Sequence, residues 1–281
     1  ISFCKQMWDR IIIDEAHVIK NKTSKLHKVC CTLKTNIRWA LTATPVMNKM
    51  EDFVYTLKWI GVPKQLCQNY KKDVSAYFVL RRTKEDVMEQ TLPSCTININ
   101  RCTFSSKEED ILYKNVYTEM RSCIMNMNKA NNKNTIQALE LLLRVRQICC
   151  HPTSYINGIA KKEGNLTKHK WTSSVTKVEE ICKSVSSTPE EDKVLIFCHF
   201  TSEIDAYVQK LTDMGYMVAR LDGQMHLQDR SLNVETFKQN SSCKAMVVQV
   251  QVGGVGYNFQ CANWVYITSP TWNPSTQHQI I

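Results

Sequence analysis

The sequence predicts an α/β fold with parallel sheets, in two α/β segments separated by a helical stretch. Three observations predict it. Apolar, β-branched runs such as "RIIID" and "KVLIFCHF" read as strands buried on both faces, as parallel sheets require. These strands alternate with segments of helical periodicity, which implies βα units. Between about residues 93 and 170 the strands give way to helical spacing alone.

Each element follows from local chemistry. Ile11, Ile12 and Ile13 end the first strand, and "KTSKLHKVCCTLK" is helical. "RWALTAT" is a short strand, and "NKMEDFVYTLKWIG" is a helix capped by Asn48, with Glu51 three residues on and Gly61 closing it. In the helical stretch, "SKEEDILYKNVYTEMRSCIMNM" opens with Ser106 and Glu109 in capping-box register. Its apolar face comprises Ile111, Leu112, Val116 and Met120. "TIQALELLLRVRQICC" is a second helix that ends before Pro152. Residues 153 to 170, with two Gly and several Lys, read as a linker. From about residue 171 the βα pattern returns. Strands "KVLIFCHF", "MVARLDG", "KAMVVQV" and "WVYITSP" are interleaved with helices "SEIDAYVQKLTDMG" and "DRSLNVETFKQN".

Composition narrows the function. The 281 residues are enough for two domains, with 43% hydrophobic and 22% charged residues, as in a globular protein. The net charge of +10 favours an anionic partner, nucleic acid first, against the bland reading of a basic soluble protein. The 13 cysteines contain no C-x-x-C pair, which argues against a zinc ribbon, and they are expected as free, mostly buried thiols. Cys149, Cys150 and His151 are consecutive and read as a helix end rather than a metal site. No apolar run approaches a membrane span, and no signal peptide is recognisable. "ISFCKQMWDRIII" has no initiating Met and reads as the middle of a domain.

Asp14-Glu15-Ala16-His17 is the main chemical signal. Open α/β sheets bind ligands beyond the carboxyl ends of their strands. Paired carboxylates there suit Mg²⁺ held through water beside nucleotide phosphates, one carboxylate orienting the attacking water. The alternative is an acidic surface turn. Gly253, Gly254 and Gly256 crowd the end of "MVVQV", where missing Cβ atoms let backbone N–H groups approach phosphate, or where a tight turn is made. Thr42 and Thr44 flank Ala43 at another strand end, as ligand hydroxyls or as turn residues. Arg81, Arg82 and Lys84 form a basic cluster whose usual meaning is a solvated face. Arg144 and Arg146, two residues apart on one helix, do not share a face.

Taken together, these segments resemble the ATPase core of Swi/Snf-type remodellers and translocases, members of helicase superfamily two. "DEAHVIKN" is similar to the family's Mg²⁺ and hydrolysis motif, and "WALTATPVMNKMEDF" to the motif that follows, with Ala43 where the family usually has Gly. "FVLRRTKEDV" and "LLLRVRQICCHP" resemble segments of its helical region. "KVLIFCHFTSEID", "LDGQM" and "VGGVGYNFQCANWVYITSPTWNP" resemble its second lobe, with Cys198 and His199 in place of the usual Ser and Gln. "RVRQICCHP" is most similar to the lodestar-like branch and to baculovirus global transactivators.

The resemblance implies two RecA-like lobes. Residues 1–92 would be the later half of the first, 93–170 a helical insertion and linker, and 171–281 the second. It implies ATP and Mg²⁺ as cofactors, double-stranded DNA as partner with chromatin or transcription machinery, and a nuclear location, the host nucleus if viral. Asp14 would bind Mg²⁺ through water, Glu15 would polarise the attacking water, and His17 would couple motifs. Thr42, Thr44, Gly254, Gly256 and Gln279 would serve nucleotide binding and coupling. Arg81, Arg82, Lys84, Thr201, Trp272 and Asn273 would meet DNA, the basic cluster also bracing the lobes. No G-x-x-x-x-G-K-[ST] loop occurs, and the family's two arginine fingers would follow Ile281, so truncation at both ends is expected. The rival reading is a non-catalytic DNA- or protein-binding module that keeps the fold. A Cys- or His-based hydrolase lacks a convincing dyad.

Overall fold

The computed structural model describes residues 3–46, 49–68, 77–83, 86, 95–126, 132–164, 167, 169–253, 256–272 and 277. Two compact units emerge, one of Ile1–Asn98 joined by Trp272 and one running through Ile99–Thr271.

In the first unit, β1 (Met7–Trp8) pairs in parallel with β3 (Lys34–Thr35), and β2 (Ile11–Ile13) with β4 (Arg38–Ala40). Helix α1 (Lys25–Thr32) separates these strands, capped by Ser24 Oγ, which accepts from His27 N–H at 3.1 Å. Helix α2 (Met50–Trp59) stops at Gly61, whose φ of 98° is costly for any residue with a Cβ. α3 (Lys64–Gln68) follows. Ile19, Cys30 and Trp59 are buried against the inner sides of β2 and β4, and Trp59 Nε1–H donates to Cys30 O at 3.2 Å. The strand is not buried on both faces as its three isoleucines suggest. Ile12 is 54% exposed and pairs with Trp39, 55% exposed, because α1 and α2 cover one face of this two-stranded ladder.

Two capping expectations change. Asn48 lies outside the described residues; the N-cap position is Lys49, and Asp52 rather than Glu51 accepts the Lys49 N–H. At α4 (Lys107–Met125), Ser106 caps Glu109 N–H, but the Glu109 carboxylate does not return to close the box. It is fully buried and accepts from both N–H and Oγ1–H of Thr176, at 3.0 and 2.7 Å. Ile111, expected on the apolar face, is 59% exposed, whereas Val116 and Met120 pack on Val145 and Ile148 of α5 (Asn132–Cys150).

The expected linker after Pro152 is largely helical. α6 (Pro152–Lys162) has His151 as N-cap, its Nδ1 accepting from Thr153 N–H, and Pro152 in the first turn, where a missing N–H costs nothing. Pro152, Thr153, Ser154 and Ala160 are buried, which is what holds this polar segment in a helix. A further helix, α7 (Thr176–Ser186), precedes the sheet.

The second sheet consists of β5 (Lys193–Cys198), β6 (Met217–Leu221), β7 (Cys243–Gln249) and β8 (Ala262–Ile267), all parallel, in the order β6-β7-β5-β8. Alternation with period two sends Val194, Ile196 and Cys198 to one face, against α7 and α8 (Thr201–Asp213). Leu195 and Phe197 go to the other, against Val234 and Phe237 of α9 (Leu227–Gln239). Both faces of β5 and β7 are therefore buried, as parallel sheets require. Each fully buried aliphatic side chain contributes roughly 1.5–3 kcal/mol. No described helix is long and apolar enough to cross a membrane.

Candidate nucleotide and nucleic-acid site

The ends of β2 and β4 lie side by side because their ladder continues beyond the strands. Leu41 N–H donates to Ile13 O, and Ala16 N–H to Leu41 O, both at 2.8 Å. This delivers two sequence-distant motifs to one place. Asp14 Oδ1 accepts from Glu15 N–H at 2.8 Å, and the Asp14 side chain is exposed. Glu15 has φ 49° and ψ 47°, the only left-handed non-glycine residue among those described. Such a conformation costs roughly 1–2 kcal/mol and is commonly retained at functional sites.

His17 links the pieces. Its Nδ1 lies 3.0 Å from Glu15 Oε2 and 3.4 Å from Thr42 Oγ1. Thr42 Oγ1 in turn accepts from Thr44 N–H at 3.1 Å. Asp14, Glu15, His17, Thr42 and Thr44 therefore form one constellation. Among the described residues, the buried Thr44 Oγ1 and Glu15 Oε2 have no hydrogen-bond partner.

Arg81 and Arg82 are exposed in the same unit, just before a reciprocal cap in which Thr83 N–H donates to Asp86 Oδ2 and Asp86 N–H to Thr83 Oγ1. These hydrogen bonds from Thr83 hold the Asp86 carboxyl below its ordinary value. Lys84 lies outside the described residues, as do Gly254, Asn273 and Gln279.

In the second unit, Thr201 opens α8 at the carboxyl end of β5. Trp272, 60% exposed, follows β8 in sequence but groups with the first unit. The glycines differ in purpose. A Cβ on Gly253 would stand 2.1 Å from Val248 Cγ1 and 3.0 Å from Phe197 Cε1, so this glycine is required by packing. Gly256 has open space around it but a φ of 75°.

A buried polar cluster at the ends of β5 and β8 was not legible in advance. His199 Nε2–H donates to Ser269 O at 3.1 Å, and Arg146 Nε–H donates to Ser269 Oγ at 2.8 Å. Glu203 Oε2 accepts from His199 and Phe200 N–H groups. Burial pushes the Glu203 carboxyl up and lowers His199 to about 4, the nearby Arg146 guanidinium acting in the same direction. The one available signal was Glu203 three residues after Phe200, the capping register without a capping side chain. Arg144 bonds Gln147 and Gly158 O, so both arginines of "RVR" brace the second unit.

The buried cysteines are held as thiols. All are free, and burial raises Cys150 and Cys182 to about 12 and pushes Cys198 up as well. Among the described residues no group of three or more His, Cys, Asp or Glu is arranged to hold a metal ion.

The SNF2-related domain model matches residues 2–75 and 64–154, more than half of the chain. The chain belongs to the SNF2-related family. The model of the helicase conserved C-terminal domain matches residues 176–281. Among curated relatives, the DNA repair protein rad8 of Schizosaccharomyces pombe is 25% identical, the alignment covering 98% of this chain and 37% of that protein. A probable global transactivator of Orgyia pseudotsugata multicapsid polyhedrosis virus is 26% identical, over 97% of this chain and 57% of the viral protein. The solved SWI2/SNF2 ATPase core of Sulfolobus solfataricus in complex with dsDNA is 25% identical, covering 97% of this chain and 60% of its own, with a TM-score of 0.46. The SNF2-related chain thus spans between about a third and 60% of the length of these proteins.

Proposed function

We propose that this chain is the central part of an ATP-dependent translocase on double-stranded DNA, with residues 1–92 and 171–281 belonging to two RecA-like lobes and 93–170 to a helical insertion. The observation that carries the reading is the Glu15–His17–Thr42 contact in a chain of the SNF2-related family. It joins the acidic end of β2 to the Thr42 hydroxyl beyond β4, as coupling of hydrolysis to a nucleic-acid track requires.

The donors suit a magnesium nucleotide. Asp14 is exposed and, among the described residues, only its Oδ1 is engaged, by the next N–H, so the carboxylate is open to a cation held through water. When bound, Mg²⁺ supplies neutralisation of phosphate charge. Glu15 orients and polarises water, and His17, its Nδ1 beside Glu15 Oε2 and Thr42 Oγ1, couples the carboxylate to Thr42. Gly254, Gly256 and Gln279 complete nucleotide contact and coupling. Arg81, Arg82, Lys84, Thr201, Trp272 and Asn273 contact duplex backbone, and the +10 charge supports that partner. The two lobes alternate their grip on the duplex without separating its strands. Chromatin or transcription machinery is the setting and the nucleus, a host nucleus for a viral protein, the location.

The test is Glu15→Gln in a form of the protein that carries a phosphate loop. Gln keeps size and hydrogen bonding but cannot act as base. ATP binding should persist while DNA-stimulated hydrolysis falls at least about a hundredfold; equal turnover would remove Glu15 from this role.

A further inference from the structure

One surface of the first unit is charged in a way that stability does not favour. Tyr55, half-buried on α2, has two ammonium groups over one ring, Lys58 Nζ at 5.5 Å and Lys22 Nζ at 6.0 Å from its centroid. His27 meets the same ring edge-on at 6.2 Å, and its Nδ1–H donates to Ile19 O at 2.7 Å. That bond fixes the imidazole and leaves Nε2 as its remaining polar atom.

Among the described residues, the cations of this surface are uncompensated by ion pairs. A helix N-terminus carries partial positive charge and normally attracts Asp or Glu into its first turn. The first turn of α1 holds no acid and begins instead with Lys25, with Lys22 just before it. Among the described residues neither Lys22, Lys25 nor Lys58 has a carboxylate within ion-pair distance, although ion pairs occur on other surfaces of the chain. Glu51 and Asp52 lie one turn before Tyr55 and two turns before Lys58 on α2; Asp52 is engaged by Lys49 N–H, and neither forms an ion pair with Lys22, Lys25 or Lys58 among the described residues. A single lysine packed on a tyrosine is an ordinary surface feature, worth about 0.5–1 kcal/mol. Two lysines converging on one ring beside an uncompensated helix N-terminus repel one another, and such local conflict is expected at functional sites.

We propose that Lys22, Tyr55 and Lys58, with Lys25 and the α1 N-terminus, form a phosphate-backbone contact for duplex DNA, additional to the residues assigned above. The cations are spread over two helices and the segment between strand and helix, which fits an extended polyanion better than one phosphate group. The ammonium groups already occupy the ring, so Tyr55 serves as a rigid mount for them and not as a stacking platform for bases. The contact reads charge, not sequence. This inference rests on the double-stranded DNA reading, and its test separates the two.

The experiment is fluorescence anisotropy of the purified 281-residue chain on a labelled duplex between 50 and 200 mM salt, for the parent, Lys22→Ala/Lys58→Ala and Tyr55→Leu. Each phosphate contact contributes about −0.9 to the slope of log affinity against log salt. Removing two should flatten the slope by about 1.8, so the double variant loses about twelvefold less affinity than the parent across that range. Tyr55→Leu, which keeps apolar bulk, should weaken binding while both lysines remain, and thermal unfolding checks that each variant is folded. A parent that binds with unchanged slopes in folded variants overturns this surface and leaves the DNA reading intact. A parent that fails to bind duplex overturns both. If an Asp/Glu-rich peptide binds the parent more tightly than duplex does, and the double variant loses only the peptide, the surface belongs to an acidic protein segment and the proposal fails.

Discussion

Acidification offers a sharp test of the second unit, through His199 and His151. Both are buried, and burial lowers each to about 4 from an ordinary 6.5. His199 is 8% exposed and His151 9%, so both are held neutral in the fold. A histidine depressed in this way binds fewer protons folded than unfolded. Its contribution is intact above about pH 6.5 and is lost as pH falls toward 4. Between about pH 7.5 and 5 each histidine should remove about 2 kcal/mol, so the pair should remove about 4 kcal/mol. That is a large part of a typical folding free energy of about 5–15 kcal/mol. Glu203, pushed up by burial, acts in the opposite sense, because its protonated form is favoured in the fold. A comparison of variants cancels it. His199→Gln keeps a donor toward Ser269 O but cannot titrate, so its acid-induced loss should be about 2 kcal/mol smaller than the parent's. Urea unfolding of both proteins at the two pH values gives the numbers. Equal acid sensitivity in parent and variant would show that His199 is not held neutral and would refute the reasoning.

Other outcomes follow from the same geometry. Gly253→Ala forces a Cβ into Val248 and Phe197 and should cost about 1–3 kcal/mol, measured by chemical unfolding. The 281-residue chain, which contains no phosphate-loop motif, should turn over ATP well below about 1 s⁻¹ with or without DNA, in a steady-state assay on pure protein. Arg81→Ala/Arg82→Ala should flatten the salt dependence of DNA binding by up to about 1.8 if both arginines touch backbone, and should leave the slope unchanged while lowering stability if they serve only as a brace.

Where local chemistry decides an element, the sequence revealed it. The βα alternation after residue 171, the strand ending at Ile13 and the stop at Gly61 are all present. The position of Asp14 and Glu15 at the end of that strand was equally legible, since they follow a β-branched run directly. Packing between elements was not. Nothing local says that Glu109 leaves its own cap for Thr176, or that Arg146 and His199 meet at Ser269, 123 and 70 residues away along the chain. The segment after Pro152 was lost for a different reason. Its Gly158 and lysines look like a loop, but Arg144 Nη2–H donates to Gly158 O and lies over this glycine, tying the segment to α5. Exposure of Ile12 was also hidden, because three isoleucines look alike whether one face of a strand is covered or two.

The central claim, a translocase that grips duplex backbone, is tested most directly by salt titration of the 281-residue chain on two unrelated duplexes of equal length. The account predicts affinities within about threefold of each other at every salt concentration, falling steeply as salt rises, because phosphate contacts carry no sequence information. A large difference between the two duplexes, or an affinity indifferent to salt, would contradict it.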